Sequence, residues 1–238
     1  MKVLSVIIPV YNEDEVIVKN TEKLIVFLNK MHVHYEIILC DNGSTDETPK
    51  LGRSLEKRFA KKVKFIRIGK RGVGRAFKKA VLASSYENLI SVDMDLSVDL
   101  EFIPKCLNQL KKYSIVIGSK ISSQQRPLYR RVISKTYIAL TKMFLGLDFS
   151  DYSIGAKGYR KDSIVGDIKK IGSGSFYVIA LIYFAKQRNR KIVEIKTSCH
   201  DTRKSKFSLS NEVIYRLNNL LTFWFREKII KRIIRTAE

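Results

Sequence analysis

Five short runs rich in valine and isoleucine, at residues 3–8, 35–40, 63–68, 89–92 and 114–118, alternate with stretches of helical spacing at 13–30, 48–60, 72–83 and 99–111. When one strand follows another through a helix, the helix must cross over and cover a sheet face, so this alternation predicts an α/β layer structure with a mainly parallel sheet. The strand runs are continuously apolar rather than alternating, as strands buried on both faces require. In such sheets ligands bind beyond the carboxyl ends of the strands. The residues to read for function are therefore those that follow the strands: Pro9-Val-Tyr-Asn-Glu13, Asp41-Asn-Gly-Ser-Thr-Asp46, Gly69-Lys-Arg-Gly-Val-Gly74 and Asp93-Met-Asp95.

The second half is less regular. Helices are expected at 127–145 and 175–188, a strand at 192–195, a basic loop at 196–207, and helical periodicity from 209 to about 235 with neither Gly nor Pro. This divides the chain into a catalytic domain at 1–208 and a C-terminal amphipathic helix at 209–238. That helix sets Leu217, Leu220, Leu221, Trp224, Phe225, Ile229 and Ile233 among polar residues and ends in Arg226, Lys228, Lys231, Arg232 and Arg235. Such a segment either packs on its domain or lies in a membrane interface with its cations toward anionic lipid. No run approaches the ~18 apolar residues of a membrane-spanning helix. The start resembles a signal peptide superficially, but Pro9 and a polar, acidic stretch follow, so it reads as a first strand. Cys40, Cys106 and Cys199 are too widely spaced for a disulfide framework or zinc site, which suits a reducing, cytoplasmic setting.

Lys and Arg number 45 against 23 Asp and Glu, a net charge of +22 that favours an anionic partner: nucleic acid, anionic lipid or a phosphorylated substrate. Against this background Asp93 and Asp95, two apart on a strand, would point the same way and repel. A cation must stand with them, either a Lys or Arg, or a hard metal such as Mg²⁺ or Mn²⁺ whose shell substrate phosphates complete. A turn followed by a helix cap accounts for Asn42 to Asp46 but not for Asp41, a strand-end carboxylate able to accept from a base or ribose. The glycines at 69, 72 and 74 suggest amides cradling phosphate at a helix start, without the Lys-Ser/Thr of a P-loop. His32, His34 and His200 form no metal cluster by spacing.

Taken in order, Ser5-Val-Ile-Ile-Pro-Val-Tyr-Asn-Glu13, Asp41-Asn-Gly-Ser-Thr-Asp46, Gly72-Val-Gly-Arg-Ala76 and Asp93-Met-Asp-Leu-Ser97 resemble the inverting family-2 glycosyltransferases, which have the GT-A fold. Ile117-Gly-Ser-Lys120, Arg130-Arg-Val-Ile-Ser134, Asp151-Tyr-Ser-Ile-Gly155 and Ser205-Lys-Phe207 with Asn211-Glu212 are similar to the dolichyl-phosphate mannose synthase branch. The resemblance implies a Rossmann-like nucleotide-diphospho-sugar transferase with a mixed, mostly parallel sheet flanked by helices. It implies that Pro9, Tyr11, Glu13 and Asp41 hold the nucleotide, and that Asp93 and Asp95 engage ribose, diphosphate and metal, with Ser97 adding an oxygen. Lys120, Arg130, Ser134 and Lys206 would surround the donor diphosphate and acceptor phosphate. Several positions depart from the family pattern: Asn42 stands for an aspartate, Lys120 for an arginine, His200 at an arginine position lining the donor, and Arg203 for a glycine. Tyr152-Ser-Ile replaces Pro-Thr-Ser.

The resulting expectation is transfer of a hexose, with mannose from GDP-mannose favoured, to dolichyl or polyprenyl phosphate at the cytoplasmic membrane face, with inversion and a divalent metal. A separate membrane-anchoring subunit is compatible with it. The alternatives are a UDP-sugar-dependent glucosyl- or hexosyltransferase acting on polyprenyl phosphate or a glycan hydroxyl and, outside enzymes, a basic nucleic-acid-binding protein. No nucleic-acid module matches, and strand-end carboxylates would repel a phosphate backbone. Residues 171–190 contain no Asp or Glu, and Ala180 stands near where related synthases carry a glutamate, so the acceptor is expected to arrive already ionised. Asp151 and His200 remain as candidate bases.

Overall fold

Strands β1 (Val3–Val10), β2 (His34–Asp41), β3 (Val63–Arg67) and β4 (Asn88–Ser91) run parallel in the computed structural model, which describes residues 3–121, 128–199 and 209–230. With β5 (Ile115–Lys120), β6 (Lys157–Arg160) and β7 (Ile192–Thr197) they make a seven-stranded sheet in the order β3-β2-β1-β4-β6-β5-β7. Leu4, Val6, Ile7 and Ile8 are all buried, and because successive residues face opposite ways, both faces of β1 are covered. Each such side chain contributes about 1.5–3 kcal/mol by leaving water.

The covering helices are α1 (Ile17–Lys30), α2 (Thr48–Arg58), α3 (Val73–Ala83) and α4 (Phe102–Gln109). Ile17, Thr21, Leu24, Ile25 and Leu28 of α1 form the buried stripe that 3.6-residue periodicity demands. This helix starts four residues later than the apolar spacing suggests, because the Glu13 carbonyl accepts from Val16 and Ile17 N–H and closes a turn first. The remaining helices are α5 (Leu128–Leu145), α6 (Lys161–Ile164), α7 (Tyr177–Gln187) and α8 (Leu209–Trp224), the last continuing as a π-helical turn at Phe225–Ile230. Every residue from Tyr177 to Ala185 is buried, as a helix apolar all round must be.

Strand β6 has no counterpart in the sequence reading. It pairs antiparallel with both β4 and β5, which makes the sheet mixed. Its sequence, Lys-Gly-Tyr-Arg, lacks the apolar signature of the other strands. Gly158 is there because α4 lies against it, and a Cβ would stand 2.2 Å from the Cys106 sulfur.

Residues 1–121 and 151–201 form one compact unit and residues 122–150 and 202–238 a second. Within the second, α5 and α8 pack together, with the Phe144 ring edge-on to Trp224 at 5.3 Å and the Arg216 guanidinium 5.7 Å from the centre of the Tyr137 ring. No helix among the described residues is long and apolar enough to cross a membrane.

Candidate active site

From β1 the chain moves outward one way to β2 and β3, and the other way to β4, so strand order reverses between β1 and β4. Loops leaving adjacent strands in opposite directions open a crevice at their carboxyl ends. Residues 9–13 follow β1 there, and Asp93 and Asp95 follow β4.

Hydrogen bonds stitch the loops after β1 and β2 into one wall. Asn12 N–H donates to Ser44 Oγ at 2.9 Å, Thr45 N–H to Asn12 Oδ1 at 2.9 Å, and Glu13 N–H to Thr48 Oγ1 at 2.8 Å. Asn12 takes a left-handed φ of +52°, a conformation that asparagine tolerates better than most residues. Asp41, the last residue of β2, is fully buried and accepts from Ser44 N–H at 3.0 Å through Oδ1. Its Oδ2 lies 3.2 Å from Arg67 Nε as an ion pair, yet no N–H is aimed at it, so a buried acceptor is left for a further donor. The guanidinium of Arg71 stacks 4.0 Å from the centre of the half-buried Tyr11 ring. Pro9, Tyr11, Glu13 and Asp41 thus share one wall.

The opposite wall carries the acidic pair. Asp95 Oδ1 accepts from Ser97 N–H at 3.0 Å, and Asn20 Nδ2 of α1 holds the Met94 carbonyl at 2.9 Å, which fixes the turn between the carboxylates. Asp93, just past the carboxyl end of β4, is exposed to solvent, with Gly155 packed against its carboxylate. The surrounding low dielectric, then the Asp95 charge, push its pKa up to about 6, while Lys157, the Gly155 amide and Lys120 pull the other way. Asp93, Asp95 and the nearby Ser97 offer hard oxygens in a site whose two carboxylates repel, a donor set that fits Mg²⁺ or Mn²⁺ completed by phosphate oxygens. Among the described residues no cluster of three or more His, Cys, Asp and Glu side chains exists, so protein ligands alone would not fill such a shell.

Behind Asp93 lies a group that sequence reasoning missed. Lys157 of β6 is 1% exposed and donates to the Ile154 carbonyl. Burial drives its pKa down to about 8, against the pull of Asp151, Asp93 and Glu194. Burial of Tyr177 at the start of α7, with Asp93 nearby, raises its hydroxyl pKa. The signal for Lys157 was a lysine flanked by Ala156 and Gly158, but with β6 unread nothing marked it as interior.

Gly72 and Gly74 serve packing rather than phosphate. Gly74 N–H donates to the Ser173 carbonyl at 2.8 Å, and a Cβ at Gly74 would lie 2.3 Å from the Gly172 carbonyl. The 172–174 backbone therefore occupies the place a phosphate would need. Asn42, where the family pattern has aspartate, accepts from Gly72 N–H at 2.5 Å and ties the same loop to β2.

Lys120 ends β5 close enough to act on both Asp93 and Lys157. Arg130 and Ser134 lie in α5, in the second unit. His200, Arg203, Ser205 and Lys206 lie outside the described residues.

The glycosyl transferase family 2 model matches residues 5–165, more than half of the chain and the whole crevice. The chain belongs to glycosyl transferase family 2. Among its relatives is an undecaprenyl-phosphate 4-deoxy-4-formamido-L-arabinose transferase of Pectobacterium atrosepticum, 27% identical over 93% of this chain and 66% of that protein. A dolichol-phosphate mannosyltransferase of Pyrococcus furiosus is 28% identical over 99% of this chain and 67% of its own length. The glycosyltransferase AglD of Haloferax volcanii is 22% identical over 98% of this chain but only 38% of that protein, so this chain spans between about two fifths and two thirds of these relatives. In fold it is similar to glucosyl-3-phosphoglycerate synthase from Mycobacterium tuberculosis in complex with Mn²⁺ and UDP-glucose, with a TM-score of 0.68, 16% identity and 94% of this chain and 79% of that one covered. The fold is thus the GT-A arrangement expected of the family.

Proposed function

We propose that this glycosyltransferase-family chain moves a hexose from a nucleotide sugar to a polyprenyl phosphate, with inversion at the anomeric carbon. The observation that carries the reading is the crevice itself, in which a buried acceptor on Asp41 stands across from the carboxylates of Asp93 and Asp95 within a chain of net charge +22. Pro9, Tyr11, Glu13 and Asp41 bind the base and ribose. Mg²⁺ or Mn²⁺, held by Asp95 first and by Asp93 and Ser97 around it, would neutralise charge on the departing nucleoside diphosphate. Lys120, Arg130 and Lys206, with Ser134 and His200, bring an anionic acceptor up to an anionic donor.

A phosphomonoester with a second pKa of ~6 is mostly ionised at neutral pH and needs holding, not deprotonation. Ala180, near where related synthases carry a glutamate, is a buried methyl in α7, which contains no Asp, Glu or His to act as a general base. Two relatives named for undecaprenyl- and dolichol-phosphate substrates support the acceptor class, and the second supports mannose as the sugar, with GDP-mannose the favoured donor. A UDP-sugar donor is the second reading, favoured by the structural neighbour that holds UDP-glucose.

Incubation with GDP-mannose, UDP-glucose and other nucleotide sugars, Mg²⁺ or Mn²⁺, and polyprenyl phosphate, with mass analysis of the lipid, tests the proposal. Product should form from one donor, vanish with chelator, and fall by orders of magnitude in Asp95→Asn without loss of fold. Full activity in excess EDTA, or glycosylation of free polyprenol as efficient as of its phosphate, would overturn it.

A further inference from the structure

We propose that Lys157 is the built-in counter-cation of Asp93, a positioning residue that competes with the metal for that carboxylate and so sets how tightly the nucleotide-bound protein holds the metal. The inference deepens the proposed function and rests on its metal site. Register and contacts place Lys157. Its Cα pairs with Ser91, two residues before Asp93, and its ammonium donates to the carbonyl of Ile154. The next residue, Gly155, lies so close to Asp93 that an added Cβ would stand 2.2 Å from both carboxylate oxygens. The turn that carries these contacts is itself held by charge. Asp151 Oδ1 accepts from Ser153 N–H at 2.7 Å, Ser153 Oγ at 2.8 Å and Ile154 N–H at 3.2 Å, and Asp151 N–H donates to Glu194 Oε1 at 3.2 Å.

The buried ammonium, bonded to a carbonyl one residue before Gly155, therefore stands on the protein side of Asp93, with Asp151 and Glu194 within electrostatic range, while Asp93 itself is exposed to solvent. A buried charge of this kind is kept only where partners compensate it. Cations on opposite sides of one carboxylate repel, and through the partly screened interior that repulsion reaches well beyond contact distance. Lys157 thus keeps Asp93 in place before the metal and donor arrive, at the cost of weaker metal binding once they do.

The experiment measures Mn²⁺ uptake by the full chain at pH 7, from the electron paramagnetic resonance signal of free Mn²⁺ with UDP or GDP present, after subtracting the Mn²⁺ that the nucleotide binds in a protein-free control. Lys157→Met removes the charge and keeps the stem. Its Mn²⁺ dissociation constant should fall about tenfold, and the rise in melting temperature on adding Mn²⁺ should exceed that of wild type. Lys157→Arg, which keeps the charge, should retain the wild-type dissociation constant. A merely structural lysine would give the opposite sign, because loosening the turn disperses the ligands. Equal or weaker Mn²⁺ binding by Lys157→Met therefore overturns the assignment while leaving the metal site standing. Should Lys157→Met not fold, Lys157→Gln, which still donates to Ile154, answers the same question. A wild type that takes up no Mn²⁺ under these conditions, and does not differ from Asp95→Asn, overturns the proposed metal site and this inference together.

Discussion

Gly155 shows how one absent methyl group shapes the site. A Cβ there would collide with the far end of the Asp93 side chain, not with backbone, so the carboxylate can swing away at small cost to the fold. Gly155→Ala should therefore lower the melting temperature by only about 2–4 °C, the equivalent of ~1 kcal/mol for a chain of this size. Turnover should drop at least about tenfold, because Asp93 no longer stands beside Asp95. Thermal denaturation and initial rates on the same preparation check this, and an active variant would mean that Asp93 is dispensable. Asn42 makes a complementary point. In the sequence it is a departure from the family pattern, but in the fold its side-chain carbonyl receives the Gly72 N–H, so the substitution is absorbed as a loop tie.

Elements are fastened at the end of the sheet away from the crevice as well. The buried Glu36 near the start of β2 accepts from Ser5 of β1 at 2.7 Å and from Ser85 N–H after α3, and pairs with Lys64 of β3 at 2.6 Å. Burial raises its pKa, but the Lys64, Ser85 and Ser5 interactions outweigh this and hold it below the ordinary 4.5. A depressed folded value means that the unfolded chain takes up the proton first as pH falls. The stabilisation is present above pH 4.5 and is lost as pH drops through the folded value. Glu36→Gln should cost about 2 kcal/mol at pH 7, and the difference from wild type should shrink toward zero below that value. Urea denaturation across pH 3–7 measures it, and a pH-independent difference would show that the loss is one of packing.

At the scale of the whole molecule the excess of cations has to meet something. In the second unit, α8 and the turn after it expose Ile214, Leu221, Phe225 and Ile230, with Arg226 and Lys228 among them, while α5 exposes Tyr129, Val132 and Met143. Leu220 and Phe223 are buried, so part of the apolar periodicity is spent on packing and part is left outward. We propose that residues 221–235 bind reversibly to an anionic membrane surface, each cation being worth ~1 kcal/mol there. Lys231, Arg232, Ile233 and Arg235 lie outside the described residues. Flotation with phosphatidylglycerol-containing liposomes should weaken at high salt and on changing Arg226, Lys228, Lys231, Arg232 and Arg235 to Gln. Equal flotation of wild type and variant would mean that this segment serves packing alone.

By itself the sequence determined the α/β class, the six strands that run in one direction, the crossover helices and the strand-end positions of Asp41, Asp93 and Asp95. These follow from local periodicity and from the single direction in which a parallel strand presents its carboxyl end. Only the tertiary structure decided what these carboxylates face. Strand β6 pairs with partners about 40 and 70 residues away in the chain, so its place owes nothing to its own composition. With β6 came Lys157 behind Asp93 and Gly155 against its carboxylate, and the 172–174 backbone took the seat where the α3 glycines suggested a phosphate. The charge and close packing of a site depend on neighbours that are remote in sequence, and no local pattern carries that information.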